Sequence, residues 1–328
     1  MIGFKIGWKV LVALIALLVW ARVPWFIHNN YQLQVLFRIT LFAALGLAWN
    51  LVGGYAGQLS LGHVAFFGVG AYGLAIFAQL GVPVWIAAFL AAIVSTAVAA
   101  VIGAISFRLR GPYFALATIA FAEVLRLAAT NLNITGGAIG LTMPALFVGR
   151  TFWRSFYLAA VGLAVLSFIT NYWASRSRFG YYLMAIREDE DTAAAVGINT
   201  ARCKLYSLLI SAFLTALAGA LYGSAFQFIV PDSILTIDIS IQIAIITMLG
   251  GAGTLLGPIV GAVLLLSASE AFKNVFQESH LLIYGVLIVV VVLFLPEGIV
   301  GGLQHRFCKR IKPPKDAKPQ PALGGAAQ

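Results

Sequence analysis

The sequence predicts an all-α polytopic membrane protein with about ten transmembrane helices, and three observations carry that expectation. Hydrophobic residues make up 61% of the 328-residue chain and charged residues 10%, whereas an ordinary soluble domain is roughly one-quarter charged. Apolar stretches of about twenty residues, the length that crosses hydrocarbon, follow one another with short connections. The basic residues gather in alternate connections, as the positive-inside bias requires.

Cutting at charges, prolines and glycine-rich turns places spans near residues 8–27, 33–52, 59–79, 83–107, 111–130, 152–174, 202–228, 236–249, 255–273 and 280–296. The first follows Lys5 and Lys9 as a signal peptide would. It ends in Arg22, Pro24 and Trp25 with no small-residue cleavage site, so it is expected to be retained. The eighth is short enough to be a half-helix or a strongly tilted one. With the N-terminus inside, 15 of the 21 basic residues fall on the inner side. The exceptions are Arg22, Arg38, Arg126, Arg150, Arg154 and Lys273. Both termini are therefore expected in the cytoplasm, with residues 1–308 forming the transmembrane domain.

The net charge of +10 comes from connections and tail rather than from one basic face, so no nucleic-acid partner is expected. Cys203 and Cys308 both fall on the inner side, which indicates neither a disulfide nor a metal cluster. Residues 309–328 mix Lys, Pro, Gly and Ala and read as a disordered basic tail held near anionic lipid.

Residues 176–204 are the long hydrophilic connection on the inner side. Leu183, Ile186, Ala193, Ala194 and Val196 give it an apolar component, Glu188, Asp189, Glu190 and Asp191 an acidic one, and Gly197 a helix stop. An amphipathic helix at the membrane edge can sit in a partner's groove. The expected contact surface is Arg187, Glu188, Asp189, Glu190, Asp191, Ala193, Ala194 and Gly197, with the flanking basic residues as anchors at the membrane edge.

Two glycine-rich segments, residues 53–62 and 250–258, also lie on the inner side, where glycine permits broken helices and close approach. Neither has the Lys-Ser or Lys-Thr pair of a phosphate-binding loop, so the chain is expected to carry no ATPase of its own. Polar groups inside spans are default candidates for a pathway: Asn50, Gln58, Ser60, His63, Thr118, Glu123, Arg126, Gln227, Gln242 and Thr247. Glu123 and Arg126, three apart, favour a mutual ion pair, and His63 favours hydrogen-bonded packing over a proton relay. The outer loop near residues 131–154 carries Arg150 and Arg154, which could meet acidic residues of a soluble partner or lipid headgroups. No paired carboxylates, nucleophile with base, or metal set marks an enzyme. An ion-coupled secondary transporter using Glu123 and His63 is the rival reading.

Taken together, GYAGQLSLGHVAFFGVGAY at 54–72, GPYFALATIAFAEVLR at 111–126, TGGAIGL at 135–141, GINTARCKLYSLLISAFLTALAGALYG at 197–223 and LGGAGTLLGPIVGA at 249–262 resemble the LivM-type permeases of branched-chain amino acid ABC importers. The resemblance runs from about residue 41 to 301. It implies a bacterial inner-membrane permease, similar in architecture to the vitamin B12 importer class. It also implies a sister permease, two cytoplasmic ATPases that bind the ATP, and a periplasmic binding protein. Leucine, isoleucine and valine are the implied substrates, with urea, short amides and aromatic acids known for related permeases. Ala193, Ala194, Ala195 and Gly197 match the family's coupling-loop signature. EDTAAAVG here is looser than the usual Glu-Ala-Ala-Gly, which leaves Glu188 and Glu190 as alternatives for the residue facing the ATPase.

Overall fold

The computed structural model describes residues 29–276 apart from 110 and 150, together with 20, 22–25, 27, 285 and 298–302. Most of the first expected span, the tenth, and the basic tail lie outside the described residues.

The chain enters the bundle at α1 (Asn30–Trp49), capped by Asn29, whose side chain accepts from the Tyr31 N–H. Helix α1 continues without a break into a wider π-helical turn (Asn50–Tyr55), so this span runs past its expected end. Residues 39–49 are all buried, making α1 the axis of the bundle. An irregular connection, with Gly57 at a positive φ of 67°, leads to α2 (His63–Gln79), followed by α3 (Val84–Ser106) and α4 (Pro112–Asn131). Proline at the first position of α4 suits a helix start. Helix α5 (Phe152–Arg176) leads to two short helices, α6 (Arg178–Glu188) and α7 (Glu190–Ala195). After them come α8 (Thr200–Phe226), α9 (Pro231–Ile234), α10 (Ile237–Gly250) and α11 (Gly257–Phe276).

Six helical segments among the described residues are long and apolar enough to cross a membrane: Asn30–Tyr55, Val84–Ser106, Pro112–Asn131, Phe152–Arg176, Thr200–Phe226 and Pro231–Gly250. Helix α2, a shorter apolar helix, and α11 occupy the third and ninth expected spans. The eighth expected span, read as a half-helix, is a pair: α9 and α10 are separated by Leu235 and Thr236, and Thr236 caps α10.

The packing rule is that of lipid rather than water. Helix α3 turns Ala87, Ala88, Ala91, Ala92, Ser95 and Ala99 inward and exposes Trp85, Ile86, Phe89, Ile93, Val101 and Ile105. Small residues inside let backbones approach, and large apolar ones outside face hydrocarbon. Helices α2 and α8 approach backbone to backbone. A methyl on Gly70 would lie 2.1 Å from the Ala216 carbonyl oxygen, and one on Gly219 would lie 1.9 Å from that of Phe67.

At the other end from α6 and α7, residues 132–149 form 3-10 turns and a short strand, β1 (Leu141–Thr142), which pairs antiparallel with β2 (Phe228–Ile229). The sequence offers no alternating pattern that would announce so short a ladder. It ties the long loop to the end of α8, helped by the Met143 N–H donating to the Gln227 carbonyl at 2.8 Å.

The glycine contact is directly testable. Gly219→Ala should lower stability in detergent by about 1–3 kcal/mol, the usual cost of an overpacked methyl. Gly162→Ala, with open space around it, should be neutral or slightly stabilising by helix propensity. Thermal unfolding of the two purified variants checks both.

Candidate coupling site

The connection between α5 and α8 is built by caps. Ser177 accepts from the Gly180 N–H and starts α6. Asp189, in an extended conformation, ends α6 and starts α7 by accepting from the Thr192 N–H at 2.7 Å. That backbone bond holds the Asp189 carboxyl below the usual carboxylate range. Helix α7 ends where Gly197 donates to the Ala194 carbonyl at 3.0 Å and Ile198 to that of Ala193 at 3.1 Å. This is the paired carbonyl closure of a glycine C-cap, and Gly197 adopts the positive φ of 90° it demands. Asn199 then starts α8 by accepting from the Arg202 N–H. The expected single short helix is thus two, broken at Asp189, and the expected stop at Gly197 is present.

One face of this unit is anchored. Leu183 of α6 is buried in a cluster with Leu51, Tyr55, Ala56 and Ala174. Of α7 only Ala193 is fully buried. Glu188, Asp189, Asp191, Ala194, Val196 and Gly197 face outward.

The two acidic alternatives separate. Glu190 turns inward and accepts from the Lys204 ammonium at 2.6 Å, with side-chain exposures of 21% and 0%. Lys204 also lies over the Phe107 ring, 5.6 Å from its centroid. Lys204, expected at the membrane edge, is instead a buried cation whose charge Glu190 satisfies. Glu188 is exposed.

Arg187 reaches back toward the bundle. Its Nη1 donates to the Gly54 carbonyl at 2.7 Å and to that of Ala252 at 3.4 Å. Gly54 belongs to the π-helical turn and Ala252 to the turn before α11, so one guanidinium touches both glycine-rich segments. Asn50 joins them a second time. Its Oδ1 accepts from the Gly253 N–H at 2.8 Å, and its Nδ2 donates to the Thr254 carbonyl at 3.0 Å and to Asn171 Oδ1 at 3.1 Å. Asn171 donates in turn to the Leu47 and Ser167 carbonyls. Beside this junction is a cavity of about 450 Å³ lined by Trp49, Gly53, Gly57, Leu59, Arg187, Met248 and Ala252.

The other predicted pathway residues are spent mostly on holding helices together. Asn50, Ser60 and His63 are fully buried, and Thr118 nearly so. His63 Nε2 lies 2.8 Å from Ser211 Oγ and its Nδ1 3.0 Å from Ser60 Oγ. Ser211 Oγ donates to the Ala48 carbonyl, so it accepts from a proton on Nε2, and Nδ1 accepts from Ser60. The ring is a satisfied neutral strut. Thr118 Oγ1 donates to the Ala115 carbonyl and accepts from the Leu61 N–H. Gln58 donates weakly to the Ala56 carbonyl at 3.4 Å, and Gln242 is half-buried on α10. Arg154 stacks over Trp25 at 5.7 Å, and Arg150 lies outside the described residues. Sequence reasoning missed Asn171, Ser211 and Asp232. A polar residue in an apolar span would have flagged the first two.

Among the described residues, no three His, Cys, Asp or Glu side chains gather as metal ligands would. A helical bundle packed by small residues, with six segments long and apolar enough to cross a membrane among the described residues, defines a polytopic membrane protein. The chain belongs to the family described as branched-chain amino acid transport system / permease component, which matches residues 31–292. It is 32% identical over 318 residues to the high-affinity branched-chain amino acid transport system permease protein LivM of Salmonella typhimurium, covering 88% of this chain and 74% of that protein. The LivM protein of Escherichia coli K12 is 31% identical over 317 residues, with the same coverage. The permease protein LivH of Salmonella typhimurium is 25% identical over 305 residues, covering 83% of this chain and 96% of that one. The solved structure of PsaBC from Streptococcus pneumoniae in complex with Fab aligns over 87% of this chain and 96% of that chain. Its 16% identity and TM-score of 0.46 make it too distant to argue from.

The inward and outward carboxylates make different predictions. Glu190→Gln strands the buried Lys204 charge and should destabilise the protein by roughly 3 kcal/mol. Glu188→Gln should stay within about 0.5 kcal/mol, as surface changes do. Equal losses for the two in thermal unfolding would contradict the assignment.

Proposed function

We propose that this chain is one of two permease subunits of an ATP-binding cassette importer in a bacterial inner membrane, carrying leucine, isoleucine and valine inward. The family match across residues 31–292 carries the reading. Likeness to both LivM and LivH proteins, two permeases named for one kind of transport system, supports a sister permease as the partner across the path. The absence of a phosphate-binding loop from the sequence supports separate ATPases, two of them, on the cytoplasmic side. A periplasmic binding protein supplies the solute, and both termini are cytoplasmic.

In this reading α6 and α7 dock in a groove of an ATPase. Glu188, Asp189, Asp191 and Ala194 form the contact, Ala193 and Glu190 seat α7 on the bundle, and Gly197 ends the helix. Closure of the ATPases on ATP moves this unit. Arg187 passes the motion to the glycine-rich turns and so to α1, α10 and α11, which alternate access between the two faces. Gln58 and Gln242 remain candidates for the path. Arg154, at the opposite end, and Arg150, four residues before it in the sequence, meet acidic residues of the binding protein. The permease itself breaks no covalent bond.

Reconstitution of the assembled transporter in liposomes tests this. Leucine uptake should require ATP and the binding protein. Glu188→Lys or Gly197→Leu should reduce it more than tenfold while membrane insertion persists. Gly197 has open space around it, so the leucine would disturb only the helix stop, through a disfavoured left-handed backbone. Uptake by the chain alone on an ion gradient would overturn the reading, and uptake of urea, amides or aromatic acids in place of leucine would correct its substrate.

A further inference from the structure

Helix α4 is the least covered of the crossing segments. Only 28% of its apolar window is buried within the chain, against 44% or more for the other five. The exposed surface of α3 is wholly apolar and suits lipid, but that of α4 is not. Glu123 stands within about 3 Å of the midpoint of the 20-residue helix at 1.5 Å per residue, and its side chain is 50% exposed. Arg126 donates to both Glu123 oxygens, at 2.6 and 2.9 Å, and to Asp232 of α9 at 2.5 Å. Asp232 is 77% exposed. The triad carries a net charge of −1, and the exposed Asp238 follows on α10.

An exposed carboxylate near the bilayer midplane costs several kcal/mol if it faces hydrocarbon. The backbone adds a second constraint. At 14 residues, α10 is about 21 Å long, so its break from α9 lies at membrane depth. Non-helical backbone at that depth is tolerated only inside protein or beside water. A third observation comes from α2. Tyr72 is 5% exposed, its hydroxyl has no hydrogen-bond partner among the described residues, and it lies close enough to Asp232 to feel that charge.

We propose that the surface formed by α4, α9 and α10 is a wall of the aqueous translocation path, and that Glu123, Arg126 and Asp232 form a station for the ammonium group of an α-amino acid in transit. This rests on the permease reading above. Each carboxylate keeps acceptor capacity after its bonds to Arg126, three of whose five N–H groups are engaged, and the net charge of the triad is negative, so the station favours a cationic donor. The Tyr72 hydroxyl is a further group able to bond the solute or its water. Ile241 and Met248, exposed on the same helix one turn and three turns past Asp238, offer aliphatic surface to the side chain. A half-exposed station holds its solute loosely, as passage requires.

Thiol accessibility in the reconstituted transporter tests the proposal. In a background with Cys203→Ser and Cys308→Ser, single variants Ala120→Cys, Ile241→Cys and Val101→Cys are treated from both sides with water-soluble cationic and anionic methanethiosulfonates. Ala120→Cys and Ile241→Cys should react at least about tenfold faster than Val101→Cys, which faces lipid. Ile241→Cys should favour the cationic reagent by about tenfold or more, and adding Asp232→Asn should shrink that preference. Glu123→Gln removes the same charge should Asp232→Asn fail to assemble. Reactivity at 120 and 241 as low as at 101, or equal rates for both reagents, would overturn the proposal. Labelling needs no transported solute, so it can fail while leucine uptake stands, and the reverse.

Discussion

The amide of Asn50 is the interaction on which the α6–α7 end of the bundle depends. In hydrocarbon an unpaired polar group has no water to fall back on, and Asn50 closes three such debts at once. It satisfies the Gly253 N–H, the Thr254 carbonyl and Asn171. Those groups belong to the turn before α11 and to α5, so a side chain of α1 fixes three segments in register. Gly54, within the π-helical turn that starts at Asn50, leaves the space for the bond to Gly253, since a methyl there would lie 1.9 Å from Asn50 Oδ1 and 2.5 Å from the Gly253 nitrogen. Local π geometry in a helix often marks a functional site.

Onto this junction Arg187 fastens the short helices. The unit of α6 and α7 is held to the bundle by the apolar face of α6, by the buried Lys204–Glu190 pair and by the Arg187 guanidinium. Its outer face carries Glu188 and Asp189 beside the exposed Tyr181, Tyr182 and Val196, and its helix ends are capped. A push on that face has a short mechanical route: through Arg187 into Gly54 and Ala252, and through Asn50 into α1 and α5. Packed elements of this kind move as bodies rather than deform. The same rigidity explains why α2 and α8 touch backbone to backbone, since glycine there leaves little slack between them.

Much of this was legible in the sequence, and what was not has physical reasons. The interior spans fall within a few residues of the hydropathy reading because, in lipid, apolar length and helix length are the same quantity. Gly197 was legible as a stop because few other residues accept its backbone angle. Lys204 was misplaced at the membrane edge because a charge is visible in sequence while its partner, fourteen residues away, is not. Asn50, Ser60, His63 and Thr118 read as pathway residues since polarity inside a span marks either a path or a strut, and only three-dimensional partners separate the two. Asp232 escaped notice at the edge of a short span. Its meaning depends on Arg126, 106 residues away.

In the proposed importer, force enters at α6–α7 and passes to the glycine-rich turns through Arg187. The number of leucine molecules carried per ATP hydrolysed, measured for Arg187→Met in the reconstituted transporter, tests it most directly. The variant should assemble and its transporter should hydrolyse ATP, while the ratio falls more than tenfold. An unchanged ratio, with hydrolysis at the normal rate, would contradict it.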